Sequence, residues 1–340
     1  MAEIAPTFIA SALKVELHLH LETSLRLRRL SERRHEGSRL DRPHLIADPS
    51  LFSGYDRLRR LRYAGRAGLI SDALYTRENI TAITAGLITE AAADSVRHVE
   101  VRVGGRRGFM LLGVRGMLEA MAEGAQSVRH LRVGYGAIVT VVRERGPQEA
   151  EQTIKEAAAS KDCRVVGVDL AGDEENYPPA MFATAIGCAR AAGLGITVHA
   201  GEFTGPVGIW TAAYQLGATR IGHGIRAVED LRLLDRLRER GVTLELCPTS
   251  NVRLGLVPSL AQHPLPTFLQ HGVAVTINSD DPVLLGTSLS KELAAVARAH
   301  RLGPDAIVEL LAAAARAAFL PEAARAALEQ EVRSAPLPAR

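Results

Sequence analysis

Several short strings in this 340-residue chain carry side chains able to bind a metal and to move protons. Lys14-Val-Glu-Leu-His-Leu-His20 alternates apolar and polar residues. A strand there turns Val15, Leu17 and Leu19 one way and Glu16, His18 and His20 the other. Two histidines that converge from one strand end are a recurrent two-ligand arrangement for zinc. His199-Ala-Gly-Glu202 follows a short apolar run, Gly195-Ile-Thr-Val198, that reads as a buried strand. It sets an imidazole and a carboxylate three residues apart at one strand mouth. Hydrolysis by an activated water needs such a pair, a metal ligand and a separate acid that moves protons. Gly222-His223-Gly224 and Asn278-Ser-Asp280-Asp281-Pro282 add an imidazole and two carboxylates. Taken singly, the first could be a tight bend and the second a pair of turn formers.

The elements that must position these groups alternate in type. Apolar, β-rich runs occur at Lys14–His20, His98–Val103, Leu131–Val142, Arg164–Leu170, Gly195–Ala200, Thr219–Gly222, Val242–Cys247 and Val273–Asn278. Helical stretches lie between them, among them Asn79–Val96, Pro147–Lys161, Pro179–Ala192 and Glu229–Arg240. Eight strands alternating with helices match an α/β fold of the (β/α)8 TIM-barrel type, whose active sites lie at the C-terminal ends of the strands. An open doubly wound sheet is the alternative, but no GxGxxG follows the first strand. Polar groups recur at those strand ends: His18 and His20, Asp169 to Glu174, His199 and Glu202, His223, Cys247 to Asn251, and Asn278 to Asp281. Three histidines and one carboxylate drawn from three strands would bind a metal and leave room for water. The chain is expected to form one domain over residues 1–340. A helical insertion after the first strand (about 25–97, with helices at Leu25–Arg34 and Tyr55–Ala67) would act as a lid, and an alanine-rich C-terminal helical extension (Ser290–Val332) would pack on the barrel.

Bulk properties narrow the class. Hydrophobic content of 47% and charged content of 23% suit a globular protein with an ample core, and no apolar stretch approaches the ~20 residues of a membrane span. Cys163, Cys188 and Cys247 are far apart and odd in number, which argues against a disulfide framework and for a reducing compartment. With no basic leader before an apolar core, a cytoplasmic location is expected. Net charge is only +3, but residues 26–66 hold twelve arginines against five acids. The arginines could be a solvated helical face or a positive rim for an anionic substrate. Aromatics at 4% and no basic–aromatic alternation argue against nucleic-acid binding.

Six strings together resemble the adenosine deaminase family of zinc aminohydrolases: VELHLHLE (15–22), DLAGDE (169–174), HAGE (199–202), RIGHGI (220–225), LCPTSN (246–251) and NSDDP (278–282). They occur in family order across almost the whole chain. The resemblance implies one zinc ion per chain on His18, His20, His199 and Asp280, lowering the pKa of a bound water toward ~7. It implies that His223 orients that water and helps take its proton. Glu202 would protonate purine N1, which requires a protonated carboxyl raised by partial burial. Asp281 would hold N7, and the Gly172 backbone N–H would meet N3. The expected partner is a small-molecule purine nucleoside or base, neither nucleic acid nor membrane; association into a homo-oligomer is left open.

Departures from the family fall where a sugar or 5′ substituent should lie. Leu21-Glu22-Thr23 replaces the usual Leu-Asp-Gly, and Val103-Gly-Gly-Arg-Arg107 replaces a Ser/Ala-Pro. The acid of that first motif helps bind the ribose 5′-hydroxyl, so Glu22 is a candidate substrate contact. The first expectation is deamination of adenosine or a 5′-modified relative such as aminodeoxyfutalosine. The alternatives are an adenine deaminase, which Glu22 would suit, and a non-catalytic purine-binding relative, which intact Glu202 and His223 argue against.

Overall fold

The computed structural model describes residues 6–22, 75–104 and 106–335. Its sheet consists of eight parallel strands, each hydrogen-bonded to the next in sequence order. They are Lys14–His20 (β1), Val96–Val103 (β2), Gly134–Val142 (β3), Val165–Ala171 (β4), Gly195–Ala200 (β5), Arg220–His223 (β6), Thr243–Leu246 (β7) and Val275–Ile277 (β8). Closure into a barrel falls to the residues just beyond β8. His20 N–H donates to Asp280 O at 3.0 Å, and Asp280 N–H donates to His18 O at 2.9 Å. The Asn278 side-chain oxygen accepts from Leu17 N–H at 3.2 Å, so an amide side chain stands in for a ladder bond that the short β8 does not reach.

The strands are buried on both faces, as parallel strands under helices must be. Val15, Leu17 and Leu19 of β1 and Val99, Val101 and Val103 of β2 join the main hydrophobic core. The alternate residues meet across the barrel. Arg102 of β2 pairs with Asp169 of β4 and with Glu245 of β7, and Arg220 of β6 pairs with Glu100 of β2. Strands that are not neighbours can touch in this way only through the interior, so ionic pairs occupy layers that branched aliphatics usually fill.

Connecting helices begin and end where local chemistry dictates. The expected helix at Glu229–Arg240 starts instead at Leu231, because Asp230 caps it by accepting from Arg232 and Leu233 N–H. The strand expected from Leu131 starts at Gly134, because a 3-10 turn over Arg129–Leu131 ends with Arg132 in the left-handed region at φ 56°. Pro179–Ala192 divides into a 3-10 turn, Pro179–Phe182, and a helix, Ala183–Ala191. The C-terminal run forms three helices, Leu289–His300, Pro304–Ala317 and Glu322–Ser334, divided around Pro304 and Pro321. Beyond the second of these, Phe319 seats its ring 3.6 Å from the Arg220 guanidinium, at the barrel end remote from the strand C-termini.

The Asn79–Val96 helix is present as Arg77–Ala93. The helices expected at Leu25–Arg34 and Tyr55–Ala67, the arginine-rich stretch and most of the lid lie outside the described residues. Among the described residues, no helix is long and apolar enough to cross a membrane.

Candidate active site

The C-terminal ends of β1, β5, β6 and β8 bring four imidazoles and two carboxylates to one point. His18 lies with its ring centroid 5.4 Å from His20, 4.7 Å from His199 and 4.9 Å from His223. Donor nitrogens of His18, His20 and His199 all fall within 4.8 Å of one another. Asp280 Oδ1 completes the set, 3.4 Å from His20 Nε2 and 3.7 Å from His18 Nε2. A tetrahedron with bonds of about 2.1 Å has edges of about 3.4 Å, so these separations fit donors arranged around a zinc-sized cation. The Nε2 atoms of His18 and His199 are buried and make no hydrogen bond within the described protein, as expected of nitrogens that face a metal.

The backbone is bent to achieve this. Asp280 and His223 have φ of 59° and 60°, in the left-handed region that non-glycine residues seldom occupy. Gly222, which directly precedes His223, allows His18 and His199 to approach. A Cβ there would stand 3.1 Å from His18 Cε1 and 3.2 Å from His199 Cγ.

Buried carboxylates fix the rings from behind. Glu245 Oε2 lies 2.9 Å from His18 Nδ1, and Asp169 Oδ1 lies 2.9 Å from His199 Nδ1. Each Nδ1–H donates to its acid, which leaves the Nε2 lone pair for a metal. Arg102 bridges the two acids. Burial first, and then Arg102 and the other imidazoles, hold the His18 pKa well below the usual histidine range, so the ring is neutral as a ligand must be. Against Asp169, burial pushes its pKa up, but His199 and Arg102 outweigh that and pull it down to about 2.

A rival donor set exists. His18, His223 and Cys247 also cluster closely. Burial and the nearby Asp280 push the Cys247 thiol well above its ordinary pKa, and its Sγ lies 3.7 Å from Glu245 O. A thiol held protonated is a poor ligand, which favours the set containing Asp280.

The remaining expected site residues gather at the same mouth, with one at its edge. Glu202 is buried, with Oε1 3.5 Å from His223 Nε2. Its turn is held by Glu174, which accepts from Gly201 N–H at 3.0 Å, Glu202 N–H at 3.2 Å and the Thr204 hydroxyl at 2.7 Å. Asp281 is buried at the start of the Pro282–Leu285 helix. Gly172 follows β4 with φ 115°, and a Cβ there would overlap the Glu144 carboxylate. Glu22, at the edge, accepts from Gly104 N–H at 2.9 Å, so the two departures from the family pattern meet each other. Thr23 lies outside the described residues.

From the sequence, Asp169 and Glu174 carry only the general expectation of strand-end acids that support or assist the metal site, and no role is assigned to Glu245, Arg102, Asn251 or His263. Asp169, Glu174 and Asn251 lie inside the quoted strings, but Arg102 and Glu245 are at interior strand positions. Their signal was present as polar residues spaced by two within otherwise apolar strands.

A sequence model of the family described as adenosine deaminase matches residues 13–335. The adenosine deaminase of Yersinia enterocolitica is 41% identical over 224 residues, which cover 66% of this chain and 67% of that protein. Among solved structures, an adenine deaminase from Arthrobacter aurescens superposes with a TM-score of 0.83 at 28% identity, covering 94% of this chain and 98% of the other. Arabidopsis ADAL complexed with IMP gives 0.83 at 25% identity, covering 96% and 98%.

Proposed function

This chain belongs to the adenosine deaminase family and is a hydrolytic deaminase, and on that premise we propose that it is zinc-dependent and replaces the 6-amino group of adenosine or of a 5′-modified adenine nucleoside by oxygen, releasing ammonia. The observation that carries this reading is the donor set, His18, His20, His199 and Asp280 at metal-ligand spacing. A cation held there supplies a water that is nucleophilic at neutral pH.

The chain's own residues would do the rest. Glu202, buried and facing His223, is placed to donate a proton to purine N1, which makes C6 electrophilic. His223 orients the attacking water. Asp281 holds N7, and the Gly172 N–H meets N3, its absent Cβ and positive φ leaving room for the Glu144 carboxylate beside it. Glu22 stands toward the 5′ side. Its carboxylate would repel a 5′-phosphate, so nucleosides are preferred over nucleotides although ADAL is described with IMP. A second reading, deamination of free adenine, is supported by Glu22 and by the likeness to the Arthrobacter adenine deaminase.

The test is ammonia release by zinc-loaded protein from adenosine, 2′-deoxyadenosine, adenine, a 5′-thio nucleoside and aminodeoxyfutalosine, with Glu202→Gln as blank. Turnover of a nucleoside, lost in the blank by roughly 10²-fold or more, supports the first reading. Turnover of adenine alone establishes the second. No turnover and no bound zinc refutes both.

A further inference from the structure

Behind His223 a chain of hydrogen bonds runs away from the site to a backbone amide, and its direction can be read from the far end. Leu265 N–H, which can only donate, lies 3.2 Å from His263 Nδ1. That nitrogen therefore accepts. His263 is buried, and burial, with His300 nearby, pushes its pKa down to about 3, so the ring is neutral and carries its proton on Nε2. Nε2 faces Asn251 Oδ1 at 3.3 Å. Of the two ends of the amide only the oxygen can accept, which fixes its orientation. The amide nitrogen then faces His223 Nδ1 at 3.2 Å and must donate to it.

We propose that Asn251 and His263 are positioning residues that lock His223 with Nδ1 as acceptor and its proton on Nε2, so that His223 orients the attacking water as a hydrogen-bond donor, and the proton that the water sheds passes not to His223 but to the Asp280 carboxylate, whose Oδ2 faces the same point. Nε2 points into the site, 3.5 Å from Glu202 Oε1 and 4.0 Å from Asp280 Oδ2. A proton on Nδ1 would instead set donor against donor across the Asn251 contact. In a buried network the donor so displaced has no water to turn to, and such a mismatch is costly. The tautomer is thus set by a backbone amide two side chains away, at Leu265.

This assignment revises the role the family resemblance implied, in which His223 helps to take the proton. The donor role rests on the deaminase reading; the tautomer does not, and it can be measured without substrate. Zinc-loaded protein labelled with 15N-histidine, examined by two-bond proton–nitrogen correlation, distinguishes protonated from unprotonated ring nitrogens; His223→Asn assigns the signals. The expected pattern is Nε2 protonated and Nδ1 bare in His223. In Asn251→Asp the carboxylate can only accept, so the proton moves to Nδ1, zinc content is unchanged, and kcat falls roughly 10²-fold with KM within about twofold. His263→Phe keeps the ring but removes the donor that orients Asn251, so the two His223 tautomers mix. His263→Gln restores a donor and recovers the wild-type pattern in part. A wild-type His223 protonated on Nδ1 overturns the proposal, as does a pattern unmoved by both Asn251→Asp and His263→Phe. If the tautomers behave as expected while no purine is turned over, the lock stands and the deaminase substrate reading fails.

Discussion

Replacing Glu100 by glutamine should cost the fold about 3 kcal/mol near neutrality, and that cost should fade in acid. Glu100 is fully buried in the barrel interior, with Oε2 2.6 Å from Arg220 Nη1 and Oε1 3.3 Å from His98 Nε2. Burial alone would raise its pKa, but the Arg220 guanidinium, helped by His98, more than offsets this and holds it at about 2, against an ordinary 4.5. That difference corresponds to about 3 kcal/mol at roughly 1.4 kcal/mol per pH unit. Removing one partner of a buried ion pair typically costs about 3–5 kcal/mol. The lower end applies here, because Arg220 keeps Glu245, whose Oε1 lies 2.6 Å from its Nε. Glu100 has a depressed pKa in the folded state, so its contribution is complete above pH ~4.5 and is lost as pH falls toward 2. Between pH 4.5 and 3.5 the wild-type protein should lose about 1 kcal/mol that the variant does not. Urea unfolding of both proteins, in the same metal state, from pH 7 to 3.5 measures the gap. A gap below ~1 kcal/mol at pH 7, or one that stays constant into acid, would refute the view that this interior ion pair stabilises the barrel.

Two further outcomes follow from other contacts. Glu245→Gln removes the anionic partner of His18 Nδ1, so zinc affinity measured by competition with a chelator should weaken about 10–100-fold; unchanged affinity would mean that the ring is oriented by packing alone. Gly195→Ala would place a Cβ 2.3 Å from Phe319 Cγ, an overlap that should cost ~1–3 kcal/mol. The deficit should shrink in a Phe319→Ala background, and if it does not, the clash is not its cause.

Much of the barrel was legible because a parallel strand is short, apolar and punctuated, and the eight runs stand in order along the chain. Gly195–Ala200 is found with the expected limits, whereas Val273–Asn278 shrinks to Val275–Ile277: Val273 N–H donates back to Phe268 O of the preceding helix, and beyond Ile277 the Asn278 side chain and the Asp280 backbone bond to β1. Helix starts were less legible: Asp230 looks like any helical residue until its carboxylate is seen accepting from the first amides. At the site, strand-end histidines announce themselves by type and position, and His18, His20, His199 and Asp280 do converge. The supports behind them did not announce themselves. Glu245 and Arg102 owe their meaning to strands that lie opposite each other only once the sheet has curled shut, and no local pattern contains that fact. His263 lies twelve residues beyond Asn251 and reaches it through the irregular turns after β7.

The seam where the barrel closes has a consequence for how the protein comes into being. Asp280 gives its backbone to β1 and its carboxylate to the imidazoles of that same strand, and the neighbouring join, Leu17 to Asn278, links residues 261 positions apart. On the ribosome, the two histidines nearest the start of the chain therefore wait for almost all of it before their last companion emerges. Contacts that distant form late and slowly. A nascent chain cut short anywhere before residue 280 would hold the histidines without Asp280, so the four-donor cluster is complete only after the residues beyond β8 have been made.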